Sequence, residues 1–192
     1  MTKSTISSTS LIEITDKSHD MVIELAYATT NNFTGKPVYK QSNCYLHEEA
    51  SERLLRIIDI LKPLHLKPKI WDGFRPLQAQ QALFDHTPDP KYVSHPKTGT
   101  RPHCRGIAVD LTLIDQYGHE LDMGTCFDDF RSLAHHGSDL VSENAQKNRL
   151  LLAGVMSIAG FESINSEWWH YQLPNASHYP IIETNETPEG LM

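Results

Sequence analysis

The stretch Ala108-Val109-Asp110-Leu111-Thr112-Leu113 sets the fold class. Val109, Leu111 and Leu113 alternate with Ala108, Asp110 and Thr112. Successive side chains of a strand point to opposite faces, so this spacing predicts a strand with its apolar side on a core and Asp110 on the other side. Before it, Pro88, Pro90, Pro96, Gly99 and Pro102 mark a long loop between His86 and His103, long enough to be functional and not merely connective. Further upstream, residues 67–72 read as a second strand, Gly73-Phe74-Arg75-Pro76 as a turn, and residues 77–84 as a helix begun by the proline.

Working outward, Met21 to Tyr27 reads as a largely buried strand. Ala50, Leu54, Leu55, Ile57, Ile58 and Leu61 recur at three- and four-residue steps, which predicts an amphipathic helix from His47 to Leu61, ended by Pro63. A further helix is expected from Glu143 to Ala159, with Leu150, Leu151, Leu152, Val155, Met156 and Ile158 on a broad apolar face and Gly160 as its stop. Phe161 to Tyr171 closes the core as a strand or turn. Strands and helices do not alternate regularly enough for a doubly wound sheet, so the expectation is α+β: an antiparallel sheet flanked by helices, with the chemistry on the sheet. At 192 residues the chain is expected to be a single domain, with residues 1–20 and 177–192 peripheral.

Composition excludes several functional classes. Apolar residues make up 39% and charged residues 21%, values of a globular chain with a core. Seventeen Lys and Arg against 24 Asp and Glu give a net charge of −7 with no basic cluster, so no nucleic-acid partner is expected. No apolar run reaches the roughly 18 residues of a membrane span, and no apolar segment follows the first residues as in a secretory signal, so the expectation is a cytoplasmic protein without a membrane partner. The three cysteines, Cys44, Cys104 and Cys126, lack C-x-x-C spacing, which argues against a disulfide framework or a thiolate metal knuckle.

Two segments combine metal-ligand residue types: Arg101-Pro102-His103-Cys104-Arg105-Gly106-Ile107-Ala108-Val109-Asp110 and Glu167-Trp168-Trp169-His170. Extended chain would separate His103 and Asp110 by about 23 Å, so sharing an ion requires a fold-back, and Gly106 can supply the positive φ of such a bend. Glu167 and His170, three apart, can lie on the same side of one turn. Two His and one Asp are the protein ligands of a catalytic zinc site, with Glu167 free as general base. Spacing alone leaves a second reading open, in which the histidines are ordinary hydrogen-bonded residues and Glu167 a solvated carboxylate.

The motif H-x-x-G-x-A-x-D at residues 103–110, with E-W-W-H at 167–170, resembles the D-alanyl-D-alanine dipeptidases, zinc enzymes that include those of glycopeptide-resistant bacteria. Trp71-Asp72-Gly73-Phe74-Arg75-Pro76, Met123-Gly124-Thr125-Cys126-Phe127-Asp128 and Asn148-Arg149-Leu150 leading to Gly160-Phe161 resemble the same family in the same order, from about Asn32 to Tyr171. The resemblance implies one Zn2+ on His103, Asp110 and His170, Glu167 as catalytic base, Arg75 as transition-state stabiliser, and Asp128 as holder of the ammonium end of a small dipeptide. It departs at one point: the family pattern S-x-H has Arg101 and Pro102 before His103 here. Arg101 is therefore a candidate for the substrate carboxylate, and equally a candidate for a solvated loop residue, expected in extended backbone because proline follows.

The remaining residues read as structural. Trp168 and Trp169 are expected to brace the site, Cys104 to fill space, His135 and His136 to sit in a loop, and His19, His47, His65, His86, His95, His119 and His178 to be solvated. The leading function is a D,D-dipeptidase acting on a free dipeptide. A related zinc carboxypeptidase trimming peptidoglycan stem peptides is the runner-up, and a non-catalytic zinc-binding module is the third reading, which the acid Glu167 and the cation Arg75 disfavour.

Overall fold

The computed structural model of the protein describes residues 11–192. In chain order its regular elements are β1 (Leu11–Ile14), α1 (Asp16–His19), β2 (Val22–Ile23), β3 (Cys44–His47), α2 (Glu48–Leu61), β4 (Lys67–Asp72), α3 (Leu77–His86), β5 (Ala108–Ile114), α4 (Glu143–Ala159), β6 (Glu162–Ile164) and β7 (Glu167–Gln172). They form a mixed α+β structure. Five strands pair in the order β2-β4-β5-β7-β6, and β1 pairs with β3 in a separate two-stranded sheet. All pairings are antiparallel except β2 with β4, where the two-residue β2 runs parallel at the sheet edge.

The amphipathic stripe forms α2 as expected: Ala50, Leu54, Ile57 and Leu61 are buried, whereas Leu55 lies outside. His47 caps the helix by accepting from the Glu49 N–H, and Glu48 and Glu49 place negative charge in the first turn, where the helix dipole favours it. Pro63 then converts the end into a 3-10 turn. On α4, Ser142 accepts from the Ala145 N–H at the start, and Gly160 ends the helix in the left-handed region at φ +91°.

β5 occupies the middle of the five-stranded sheet, and all seven of its residues are buried. Both of its faces are therefore covered. The expected apolar face holds, with Val109, Leu111 and Leu113 inaccessible, but Asp110 on the other face is also buried. A carboxylate in that position must be paired or bind a cation.

Several expectations are corrected. The strand expected over residues 21–27 shrinks to β2, followed by a 3-10 turn at Ala26–Ala28, because only two residues find a partner on β4. β3 was not foreseen, since Cys44-Tyr45-Leu46-His47 lies against a helix start that masks its alternation. On α4 the core side is Leu152, Val155, Met156 and Ala159, while Leu150 and Ile158 are exposed. The segments read as peripheral are partly structural: β1 pairs with β3, and Tyr179, Ile182 and Leu191 are buried. Ile182 donates its N–H to the Cys104 carbonyl at 3.0 Å, so the C-terminal segment packs beneath the turn that carries His103. The residues before Leu11 lie outside the described part of the chain. Among the described residues no helix is long and apolar enough to cross a membrane.

The α4 face makes a direct test. Leu152→Ala should destabilise by about 2–5 kcal/mol as a core cavity, and Leu150→Ala by less than about 0.5 kcal/mol as a surface change. Urea unfolding measures both, and equal losses would contradict this packing.

Candidate active site

Neighbouring strands and one turn bring the candidate ligands together. Asp110 of β5 lies opposite His170 of β7 and, on its other side, opposite Asp72 of β4. His103 begins a 3-10 turn, His103–Arg105, whose left-handed end at Gly106 (φ +68°) folds the chain back into β5. A side chain at Gly106 would meet Leu11 and the main-chain nitrogen of His47, so close approach reinforces the φ requirement. His103 Nε2 lies 3.2 Å from His170 Nδ1 and 3.3 Å from Asp110 Oδ2, and His170 Nδ1 lies 3.0 Å from Asp110 Oδ1.

The outer nitrogens decide what those inner atoms are. His103 Nδ1 donates to the Gly73 carbonyl at 2.8 Å, and His170 Nε2 donates to Gln172 Oε1 at 3.2 Å. Each neutral imidazole has one hydrogen, so both inner nitrogens present lone pairs, beside a carboxylate. Three acceptors thus converge in a buried site. Bonds of about 2 Å to a tetrahedral ion place ligand atoms roughly 3.3 Å apart, which is the spacing found, so His103, Asp110 and His170 could hold a metal ion.

Glu167 opens β7, and its Oε2 is 4.0 Å from His170 Nδ1. Of the strand or turn expected here, residues 167–172 form a strand, in which residues three apart ordinarily face opposite ways. A register irregularity between β6 and β7 breaks the alternation and leaves both side chains on the site. Burial, assisted by the nearby charge of Asp110, pushes the Glu167 carboxyl up to about 7. It is thus tuned toward neutral pH, where a group that both accepts and releases protons works best.

Arg75 follows β4 and is held by a set of partners that the sequence reading missed. Its Nε and Nη2 donate to Asp72 Oδ2 at 2.9 and 2.7 Å, while Tyr39 donates its hydroxyl to the other Asp72 oxygen at 2.7 Å. Its Nη1 donates to Gln80 Oε1, whose amide in turn donates to the Ser94 carbonyl of the long loop. The guanidinium lies over the Tyr27 ring and 3.8 Å from Asp110 Oδ2. Asp72 belongs to the quoted Trp71–Pro76 motif, and its i, i+3 relation to Arg75 was the available signal. Tyr27, Tyr39, Gln80 and Gln172 come from separate segments, with no local pattern to reveal them.

Asp128 sits in left-handed backbone at φ +58° and accepts the Tyr27 hydroxyl on both oxygens at 3.1 Å. Burial, assisted by the nearby charge of Asp110, pushes its carboxyl up to about 8. Arg101 is corrected: it is not extended but has φ +49°, stabilised by the Ser94 hydroxyl on its N–H and by its own side chain. Nε donates to the Gly99 carbonyl and Nη1 to the Pro96 carbonyl, so the half-buried guanidinium ties the loop to itself. Arg75, Arg101, His103, Asp110, Asp128, Glu167 and His170 all line one cavity of about 210 Å³, with Tyr92, Val93 and Ser94 of the long loop along its wall. That is below the roughly 300 Å³ at which pockets for drug-sized ligands begin.

The residues read as structural separate cleanly. Trp168 and Trp169 are buried and packed edge to face on each other, with Trp71 and Phe127 around them. Burial pushes the Cys104 thiol up to about 11, which leaves it a space-filler. His19 and His47 are not solvated: His19 bonds Ser18 and Ser51 within the fold, and His47 caps α2.

Residues 7–186 match the family model described as D-ala-D-ala dipeptidase. The D-alanyl-D-alanine dipeptidase of Escherichia coli strain K12 is 43% identical over 174 residues, covering 91% of this chain and 90% of that protein. Those of Enterococcus faecium and Streptomyces coelicolor are 32% and 31% identical, covering 81% and 79% of this chain and 87% and 85% of their own. Among solved structures, the vancomycin resistance D,D-pentapeptidase VanY in complex with Zn(II) is similar with a TM-score of 0.44 and 16% identity, over 70% of this chain and 75% of that one.

The outer hydrogen bonds carry a prediction. Gln172→Leu removes the acceptor that fixes the His170 ring, and loss of such a partner typically weakens metal binding by about 10- to 100-fold. Zinc titration against a chelator should show that loss with the melting temperature little changed, and undiminished affinity would contradict the tautomer assignment.

Proposed function

The chain belongs to the D-ala-D-ala dipeptidase family, and from that premise we propose that it hydrolyses a free D-alanyl-D-alanine dipeptide in the cavity bounded by His103, Glu167, Arg75 and Asp128. The observation that carries the reading is the convergence of three possible metal ligands, His103 Nε2, His170 Nδ1 and Asp110, with the Glu167 carboxylate 4.0 Å from His170 Nδ1. His103, Asp110 and His170 would hold one Zn2+ per chain, which would supply Lewis acidity toward a water and the peptide carbonyl.

The protein's own groups do the rest. Glu167 takes the proton of the attacking water and passes it to the leaving amine, so no covalent intermediate is required. Arg75 donates to the oxygen that gains charge as the carbonyl carbon becomes tetrahedral. Because Asp72 and Gln80 hold the guanidinium beforehand, little reorganisation is needed at that moment. Asp128 receives the ammonium end, which restricts the site to an unblocked amino terminus. Arg101 spends two of its donors on loop carbonyls and offers the remainder to the substrate carboxylate, in place of the family's serine. A small cavity with an ammonium acceptor favours a dipeptide over a longer stem peptide.

Kinetics on a panel of D,D-, L,D- and L,L-dipeptides with N-acetylated counterparts tests these roles. Glu167→Ala should retain metal and lose about 10²- to 10⁴-fold in kcat. Arg75→Lys, which keeps a cation beside buried Asp72, should lower kcat more than it raises KM. Arg101→Ala should raise KM about tenfold or more, as the loss of a charge-assisted bond implies. Near-normal turnover by Glu167→Ala, or rapid cleavage of an acetylated dipeptide or a stem peptide, would contradict the proposal.

A further inference from the structure

Arg149 lies on α4, away from the cavity, and is buried to 3% exposure. All the hydrogen bonds of its guanidinium go to main-chain carbonyls: Nε donates to Met123 at 2.7 Å, and Nη1 to Leu133 at 2.8 Å and His135 at 3.1 Å. Those three carbonyls stand at the two ends of one segment, residues 123–135. Within it the regular structure is a single 3-10 turn, Ser132–Ala134, so no strand ladder or long helix sets the segment's shape. Asp128 lies near its middle, in a left-handed conformation.

Other contacts converge on the same segment. Asn148, beside Arg149, donates its amide to the Asp122 carbonyl at 2.8 Å, and the Trp168 indole donates to Thr125 Oγ1 at 2.7 Å. The Arg149 guanidinium also lies over the Trp168 ring, next in sequence to Glu167. These contacts touch the first stem. Arg149 alone among them bridges both.

We infer that Arg149 is a positioning residue for recognition of the substrate's amino end: its guanidinium clamps the two stems of residues 123–135 and so fixes where Asp128 meets the ammonium. The inference rests on the reading of Asp128 given above. A planar fork is needed for the task, because its nitrogens diverge toward separate carbonyls, whereas a lysine ammonium is a single point that reaches one stem. Charge alone does not meet the task, since a lysine carries the same charge without the fork.

A double-mutant cycle on the zinc-loaded full chain tests this. Arg149→Lys should raise KM for D-Ala-D-Ala by between about 10- and 100-fold, the cost of misplacing a binding group by up to an ångström, with kcat within about threefold and zinc content unchanged. Asp128→Asn should raise KM as well, and adding Arg149→Lys to it should change KM by less than about twofold. Hydrogen exchange on Arg149→Lys should quicken within residues 124–132 and not in β5 or β7.

An unchanged KM in Arg149→Lys, or penalties that multiply in the double variant, would overturn the inference while leaving the Asp128 reading intact. An unchanged KM in Asp128→Asn would overturn both. Should Arg149→Lys lose its fold or its zinc, Arg149→Gln replaces it in the same cycle. Global unfolding of both variants would also overturn the assignment, since Arg149 would then support the whole fold and not the loop.

Discussion

Two imidazole lone pairs and a carboxylate meet within 3.3 Å of one another in a buried site, and the rest of the structure answers to that arrangement. Such a cluster is repulsive without a cation, and the fold makes it unavoidable. Asp110 lies on the central strand and is 3% exposed, so its charge is nearly cut off from bulk water. The Gly73 carbonyl and the Gln172 amide oxygen each take the hydrogen of one neutral ring, which leaves the inner nitrogens as lone-pair acceptors. The ligand set is therefore poised for metal by hydrogen bonds outside it.

The same economy governs the groups around the site. Asp72 lies alongside Asp110 in the sheet, and Arg75 and Tyr39 neutralise and hold it. Gln80 then links that guanidinium to the long loop through the Ser94 carbonyl, so the cation and the cavity wall share one hydrogen-bonded chain. Irregularities in strand register occur on both flanks, between Ile70 and Asp72 and between Ser163 and Ile164, beside the acidic residues Asp72 and Glu167. The terminal segments belong to this scaffold too, since the strand before α1 and the segment after β7 pack around the His103 turn.

Much of this was legible in the sequence where chemistry and local pattern coincide. The β5 alternation, the α2 stripe and the Gly106 bend each depend on a few adjacent residues, and His103, Asp110, Glu167 and His170 stand in two short motifs. What was not legible depends on partners distant in sequence. Tyr27, Tyr39, Gln80 and Gln172 matter through strand register and loop closure. Leu150 and Ile158 extend the apolar run of α4 beyond the face that another layer covers. Arg101 departs from the extended conformation its proline neighbour favours, a left-handed geometry costing on the order of 1–2 kcal/mol. The loop offsets that cost with the Ser94 hydroxyl and two carbonyls bonded to the arginine.

The central claim is that the three converging acceptors are a zinc site made of two imidazoles and one carboxylate. X-ray absorption at the zinc edge of the purified, metal-loaded protein tests it most directly. The account predicts nitrogen and oxygen scatterers alone at about 2.0–2.1 Å, with the outer-ring scattering of two histidines. A sulfur scatterer near 2.3 Å, from Cys104 or any other thiol, or the signature of a single imidazole, would contradict it.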